Sequence, residues 1–353
     1  MANLIINLKG GTGNQLFQLA AALSLAIIYK KKCEYSIEMF KNDKYKRKLE
    51  LHSLLKSLDI KEKKVKPLNK LIYLEEYDID HPLYFTKSSP LALLANDIIL
   101  EGYFLNYRIH NQEVIKKIKA SINNLNIVEK FKNMEFITIH IRESHFIGSN
   151  QISKKNDTLN IKYYTEALCR ITKNSALSGI KNAIVFSDLW QNPKSSKLLP
   201  QIKELLKDLD INYFNGDKEI NSPIDIVNIF SLSKSSIISN STLSWWGAYL
   251  CNGKIFSPVM NLWEPNLKVP DHWEQIYANE IKPRTHHRKY IFDTLSRIEE
   301  NSNYKTYSYR RLIIVKALRK LSLKISLIFK LILIRKFLKQ IGLSYENDNK
   351  TFF

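Results

Sequence analysis

Apolar and polar positions near the amino terminus predict a strand, a glycine-rich loop and a helix in succession. The short apolar run at 4–8 is typical of a buried strand, and the longer apolar stretch at 16–29 is typical of a helix. Between them lies the loop Gly10-Gly11-Thr12-Gly13-Asn14-Gln15. Its glycines allow either a tight turn or a close approach of the backbone to a ligand. A nicotinamide-binding fingerprint is matched only in part, because Leu16 stands where its third glycine would lie.

Strand-like and helical patterns alternate again from Phe136 onward. The predicted elements are strands at 137–141 and 183–186 and helices at 163–172, 197–209 and 224–232. Such alternation favours a parallel sheet covered by helices. We therefore predict an α/β fold with an amino-terminal half at 1–133 and a carboxy-terminal half at 134–300. A lysine-rich stretch at 61–66 predicts a mobile segment, and polar residues 148–157 predict a loop over the cleft between the halves.

Small hydroxyl side chains run directly into paired tryptophans at Asn240-Ser241-Thr242-Leu243-Ser244-Trp245-Trp246-Gly247-Ala248. The segment follows apolar Ile237 and Ile238, so it predicts a strand followed by a helix. Asn240 or Ser241 can cap that helix, whose free N–H groups and positive dipole end form a seat for a phosphate. The pattern indicates a nucleotide ligand. The alternative is an ordinary capped helix with a tryptophan core.

Several blocks together resemble the α-1,2-fucosyltransferase family, glycosyltransferase family eleven. In chain order they are Gly10 to Gln18, Glu101-Gly102-Tyr103-Phe104, His140-Ile141-Arg142, Tyr163-Tyr164, Phe186-Ser187-Asp188 and Asn240 to Ala248. The resemblance implies a GT-B-like architecture of two Rossmann-type halves, with the acceptor on the first half and the GDP-sugar on the second. It also implies a GDP-fucose donor and transfer to a sugar hydroxyl with inversion and without an obligatory metal.

The arginine motif departs from the family pattern H-x-R-R-G-D-Y. This chain has His140-Ile141-Arg142-Glu143-Ser144-His145-Phe146, so only His140 and the first arginine, Arg142, carry over as candidate catalytic residues. The departure leaves three hypotheses: a fucosyltransferase for a galactose-type acceptor in lipopolysaccharide O-antigen or other surface glycan synthesis, a transferase that uses another GDP-sugar, and a degenerate protein that binds nucleotide or glycan without catalysis.

Candidate residues for binding the donor and stabilising its leaving group follow two of the predicted strands. Arg142 follows a strand and would project into the cleft, where a fixed guanidinium can stabilise a departing diphosphate. An ion pair with Glu143 is the alternative for Arg142. Asn240, Ser241 and Thr242 would seat the phosphate at the helix terminus.

Two aspartates complete the candidate donor site. The resemblance implies that Asp225 recognises guanine, since a carboxylate can accept hydrogen bonds from its N1 and exocyclic amine. A helix N-cap is the alternative for Asp225. Asp188 is expected to hold the ribose or the loops of the site.

The general base is an open choice between His145 and Glu143, which lie beside Arg142 and can titrate; both can instead be loop residues. The resemblance implies that Asn14 orients the acceptor or the fucose ring. Gly11, Gly13 and Gln15 would form the acceptor-side loop around it.

The chain has 353 residues, 44% of them hydrophobic, which suffices for two cores. Its formal net charge is +20, and the last fifty residues hold twelve Lys or Arg against two acids. These cations alternate with aliphatic side chains, which predicts basic helices at 301–353 on an anionic membrane surface. A helix docked on the protein itself is the alternative. A nucleic-acid partner is not expected, because the interleaved residues are aliphatic rather than base-stacking aromatics.

Cysteine spacing, the first residues and two D-x-D patterns bear on cellular location and metal content. Three separated cysteines do not indicate a disulfide framework or a zinc site, and the first residues lack the basic leader of a signal peptide. We expect a protein held peripherally on the cytoplasmic face of the membrane. Asp78-Ile79-Asp80 and Asp208-Leu209-Asp210 match a manganese pattern of other glycosyltransferases, but they predict a turn and a helix end. No metal and no cofactor besides the donor is expected.

Overall fold

The computed structural model describes residues 3–41, 43, 46–63, 72–75, 97–124, 131, 133–143, 159–189, 191, 193–220, 222–259, 267 and 269–276. Both of its sheets belong to one compact unit, residues 1–282. The predicted division at 133 falls between the sheets and stays a prediction. The tail 301–353 and the predicted loop at 148–157 lie outside the described residues. No described helix is long and apolar enough to cross a membrane.

The first sheet has the strand order β3-β2-β1-β5-β4, and its paired strands all run parallel. Its strands are β1 Asn3–Asn7, β2 Lys32–Ser36, β3 Lys61–Glu62, β4 Ile72–Glu75 and β5 Ile98–Glu101. The accompanying helices are α1 Thr12–Ile28, α2 His52–Ser57 and α3 Gln112–Asn123, with short 3-10 turns at Glu38–Phe40 and Tyr107–Ile109.

The second sheet has the order β11-β10-β9-β6-β7-β8 and is also parallel throughout. Its strands are β6 Ile137–Ile141, β7 Asn182–Ser187, β8 Asn212–Asn215, β9 Ser235–Ile237, β10 Lys254–Pro258 and β11 Glu274–Ile276. The helices are α4 Ile161–Thr172, α5 Leu198–Asp208, α6 Gly216–Glu219, α7 Pro223–Leu232 and α8 Thr242–Leu250, with a 3-10 turn at Pro193–Ser195.

Counted from β6, the second sheet has the Rossmann order 3-2-1-4-5-6, so the strand order reverses between β6 and β9. Ligands of open α/β sheets bind at the carboxyl ends of the strands on either side of such a reversal. The two parallel sheets with their helices confirm the predicted GT-B-like α/β class of two Rossmann-type halves.

A hydrophobic core shared by the two halves holds α1 against α8, which in turn packs on α7. Trp245 and Trp246 are completely buried there, and the ring of Phe17 lies 4.6 Å and 5.2 Å from their centroids. The ring of His110 stacks on Trp246 at 5.5 Å. Burial lowers the pKa of His110 to about 3, so this imidazole is neutral at physiological pH.

Part of one local prediction needs correction. The stretch 61–66 was expected to be mobile, but Lys61 and Glu62 form edge strand β3 beside β2, and residues 64–66 lie outside the described residues. Charged side chains are common on sheet edges because they discourage further pairing, and Lys63 also makes an ion pair with Glu34 at 3.3 Å. The helix predicted at 224–232 begins one residue earlier, at Pro223, and proline suits this first helical position because its missing N–H would be unpaired there.

Candidate active site

The carboxyl ends of β6 and β9 bring His140, Arg142, Ser239 and Ser241 together where the strand order reverses. Nδ1 of His140 lies 2.5 Å from Oγ of Ser239. A guanidinium nitrogen of Arg142 donates to Oγ of Ser241 at 3.4 Å. Two motifs about a hundred residues apart in sequence, at positions 140–142 and 239–241, therefore meet in one place.

His140 is buried and neutral. Burial is the main cause that lowers its pKa to about 4; the charge of Arg142 lowers it further, and Asp188 opposes both. The hydroxyl of Tyr164 donates to the carbonyl oxygen of His140 at 3.0 Å and fixes the end of β6. With this pKa the imidazole of His140 is neutral near neutral pH, and a catalytic role for His140 stays a prediction.

Arg142 carries a half-buried guanidinium in a region of mixed charge. Burial lowers its pKa, the carboxylate of Asp188 raises it, and the charge of Arg47 lowers it again. The pKa of an arginine starts so high that the group stays protonated in proteins. Arg142 is therefore a fixed cation beside the first turn of α8.

Glu143 faces the N-terminus of α5. Its carboxylate accepts hydrogen bonds from the hydroxyl of Ser196 and from the backbone N–H groups of Lys197, at 3.0 Å, and Leu198, at 3.4 Å. A buried carboxylate with these donors stabilises a helix terminus. The arrangement favours a structural role for Glu143 over both the general base and the ion pair with Arg142.

Asp188 links the loops behind the site. Its Oδ1 accepts the backbone N–H of Glu143 at 2.9 Å, and its own N–H donates to the carbonyl of Ile141 at 3.4 Å. This matches the predicted role in holding the loops; a ribose contact stays a prediction. Nearby Asp217, which we did not predict from the sequence, accepts the N–H of Ser187 at 2.7 Å. Burial raises the pKa of Asp217 to about 7.

Ser241 is the N-cap of α8, and its hydroxyl accepts the N–H of Leu243 at 3.3 Å. Thr242 is the first residue of the helix, and Asn240 is buried directly before the cap. Of the two predicted capping residues, the structure selects Ser241. The same Oγ that caps α8 also accepts the hydrogen bond of Arg142.

The glycine loop brings a second helix terminus to the same place. Gly10 has a left-handed φ of 78°, and α1 begins at Thr12 after the N-cap Gly11. Gly13 packs so closely on α8 that a methyl group added there would overlap the backbone of Thr242 and Leu243. The first turns of α1 and α8 are therefore in direct contact. Each contributes a partial positive charge.

Gln15 has a structural role in this loop. Its fully buried amide donates to the carbonyls of Gly10 and Lys48, both at 2.9 Å, and accepts the N–H of Glu50 at 3.0 Å. Asn14 is half-buried in the first turn of α1, with its amide beside Gly10. A contact of Asn14 with sugar stays a prediction.

Asp225 is the third residue of α7, behind the N-cap Ser222, so the N-cap alternative is not what the structure has. Its carboxyl is half-buried, and burial raises its pKa. A guanine contact stays a prediction. His145 and the pair Asp78 and Asp80 lie outside the described residues.

Within the ranges that the structure describes, no three His, Cys, Asp or Glu side chains form a group that could hold a metal ion. Asp208 ends α5, and Asp210 makes an exposed ion pair with Lys181 at 2.7 Å.

Comparison with known proteins places the chain in a family. Residues 3–278 match the family model of glycosyl transferase family 11. The chain is 27% identical to the O-antigen biosynthesis glycosyltransferase WbnK of Escherichia coli, over 69% of this chain and 88% of that protein. It is 21% identical to an alpha-1,2-colitosyltransferase of Escherichia coli, over 78% and 99%.

Among solved structures, fucosyltransferase NodZ from Bradyrhizobium aligns with a TM-score of 0.38 at 14% identity, over 71% of this chain and 94% of that one. The match of the family model spans both sheets and every residue of the site described above. The chain belongs to glycosyl transferase family 11.

Proposed function

We propose that this glycosyltransferase moves L-fucose from GDP-fucose, with inversion, to a hydroxyl of a galactose-type acceptor and forms an α-1,2 linkage. The acceptor would belong to an O-antigen or another surface glycan. Membership of glycosyl transferase family 11 and the name of the O-antigen relative support this proposal. The observation that carries it is the meeting of Arg142, Ser241 and two helix N-termini at one point.

Positive charge at this point suits a leaving diphosphate. When the acceptor oxygen attacks the anomeric carbon, the bond from that carbon to the phosphate oxygen breaks and its electron pair leaves with GDP. Arg142 and the N–H groups at the start of α8 are already in place and would stabilise the negative charge on the departing GDP. Removal of one such preorganised donor typically costs about 3 to 4 kcal/mol in the barrier.

The acceptor hydroxyl gives up its proton as it attacks. His140 is buried and neutral with its Nδ1 on Ser239, and the carboxylate of Glu143 is engaged by α5. We therefore keep His145 as the candidate general base. Asn14, at the start of α1, would orient the acceptor or the transferred sugar beside Gly11 and Gly13.

Recognition of guanine is assigned to Asp225. A carboxylate there would accept hydrogen bonds from N1 and the exocyclic amine, which adenine does not offer. Its half-buried position would strengthen such bonds relative to water. Asp188 would hold the ribose or the loops around it, and the reaction would need no metal ion.

Another GDP-sugar is the second candidate donor, and the colitosyltransferase among the relatives supports it. A binding protein without catalysis is the third hypothesis, because Glu143 replaces an arginine of the family motif. The basic tail would attach the enzyme to the cytoplasmic face of the membrane, near a lipid-linked acceptor.

The test is incubation of the purified protein with GDP-fucose or GDP-colitose and a panel of galactose-terminated glycans. Released GDP is quantified, and the linkage of the product is determined by NMR. Fucosylated product at O2 of galactose supports the proposal. Product from the second donor alone supports the second candidate, and saturable GDP binding with no product from any donor supports the binding protein.

A further inference from the structure

Arg47 is a half-buried arginine of the amino-terminal half that lies near Arg142 of the other half. Its charge is one of the causes that lower the pKa of Arg142. No sequence motif marks this position, and the transfer step at Arg142 does not involve it. Two positive charges that lie close together repel each other, and an anion bound between them would relieve that repulsion.

The backbone around Arg47 is fixed to the glycine loop. The buried amide of Gln15 donates to the carbonyl of Lys48 at 2.9 Å and accepts the N–H of Glu50 at 3.0 Å. The N–H of Arg47 itself donates to Oδ1 of Asp43 at 3.2 Å. Because Gln15 also holds the carbonyl of Gly10, the position of Arg47 is tied to the loop that precedes α1.

A continuous path of contacts connects this anchored segment to Arg142. The first turn of α1 touches the first turn of α8 at Gly13 and Thr242. Helix α8 is capped by Ser241, whose hydroxyl accepts the hydrogen bond of Arg142. The segment that carries Arg47 and the strand end that carries Arg142 are therefore both connected to the first turns of α1 and α8.

The charges around this point are unequal. Arg142 lies at the positive end of α8 and Arg47 acts on it as a second cation; the nearby acids are Asp188, which acts on Arg142, and Asp43, which accepts the N–H of Arg47. A nucleoside diphosphate carries more than one negative charge near neutral pH, and it offers oxygens to donors on both sides. Arginine forks match phosphate oxygens with paired hydrogen bonds.

We propose that Arg47 is a second cationic ligand of the nucleotide diphosphate, so that the diphosphate bridges the two halves of the protein through Arg47 and Arg142. This inference rests on the proposed function, which places a nucleotide sugar at Arg142. Arg47 also ties donor binding to the acceptor-side loop, because Gln15 anchors both segments.

The test measures binding of GDP, guanosine and inorganic pyrophosphate by calorimetry to wild type, Arg47→Ala, Arg47→Gln and Arg47→Lys. Exposed Arg108 on the same half provides the matched control Arg108→Ala, which removes the same charge. We expect Arg47→Ala and Arg47→Gln to weaken GDP and pyrophosphate binding by about 10- to 100-fold, the range for a lost charge-assisted hydrogen bond. Guanosine affinity should stay within twofold of wild type, and Arg47→Lys should fall between.

Two results would overturn the inference: GDP and pyrophosphate affinities that change no more than in Arg108→Ala, or an equal loss of guanosine affinity. Melting temperatures are measured in parallel, and Arg47→Gln, which keeps the start of the aliphatic stem and a polar end without the charge, decides the matter if Arg47→Ala fails to fold. The proposed function fails separately if wild type prefers ADP or UDP to GDP. In that case pyrophosphate and the preferred nucleotide still report on Arg47.

Discussion

Replacement of Gly13 by alanine tests the contact between the two halves. A β-carbon at Gly13 would lie 2.5 Å from the carbonyl oxygen of Thr242, and its other neighbours are backbone atoms that cannot rotate away. Overpacking typically costs about 1 to 3 kcal/mol, and the rigid backbone puts Gly13→Ala near the upper end, about 3 kcal/mol. Since relief requires α1 and α8 to separate, the affinity for GDP should fall as well.

Gly11→Ala is the matched control, because nothing lies within 4 Å of a β-carbon there and the backbone angles suit any residue. Its cost should stay below about 1 kcal/mol, the size of a lost N-cap preference. Urea unfolding gives the free energy of each variant, and calorimetry gives the GDP affinity. Equal unfolding free energies and equal GDP affinities for the two variants would refute a close contact at Gly13.

Three other predictions address stability, metal and membrane. His110 has a folded pKa of about 3 against an ordinary value of about 6.5, so the unfolded chain binds the proton first as the pH falls. Wild type should lose about 2 kcal/mol relative to His110→Phe between pH 7 and pH 5 in urea unfolding; parallel curves would contradict this. EDTA should leave transfer unchanged, whereas loss of activity that manganese restores would implicate Asp78 and Asp80. Truncation after Asn303 should release the protein from anionic vesicles, in a salt-sensitive way, and spare transfer to a soluble acceptor; continued sedimentation would favour a docked tail.

Local patterns predicted strands β1, β6, β7 and β9 and helices α1, α4, α5, α7 and α8, whereas the remaining described strands had no prediction. The apolar runs before the glycine loop and before Arg142 became β1 and β6, and the hydroxyl-rich segment became the capped start of α8. These features depend on neighbours in sequence, so periodicity and capping rules suffice. The predicted start of α7 at 224 was one residue late, because Pro223 was not used as a first-turn signal.

Long-range partners could not be predicted in this way. The carboxylate of Glu143 accepts hydrogen bonds at the N-terminus of α5, more than fifty residues away in sequence, and the amide of Gln15 donates to the carbonyl of Lys48. Their roles depend on how separate elements pack, which no local pattern encodes. The same holds for Arg47: the stretch 41–48 is rich in Lys and Arg, but no local pattern singles out Arg47 as the cation that acts on Arg142.

The turnover number of Arg142→Ala with GDP-fucose tests the central claim most directly. The control is Arg170→Ala, which removes an arginine whose ion pairs with Glu166 and Glu274 lie on the surface. We predict that Arg142→Ala lowers turnover by about a hundredfold or more with the fold intact. Arg142→Lys should restore little of this loss, because the lysine ammonium is a point charge that lacks the paired N–H donors of a guanidinium. Arg170→Ala should keep wild-type turnover. Turnover of Arg142→Ala equal to that of Arg170→Ala would contradict a role for Arg142 in stabilising the departing diphosphate.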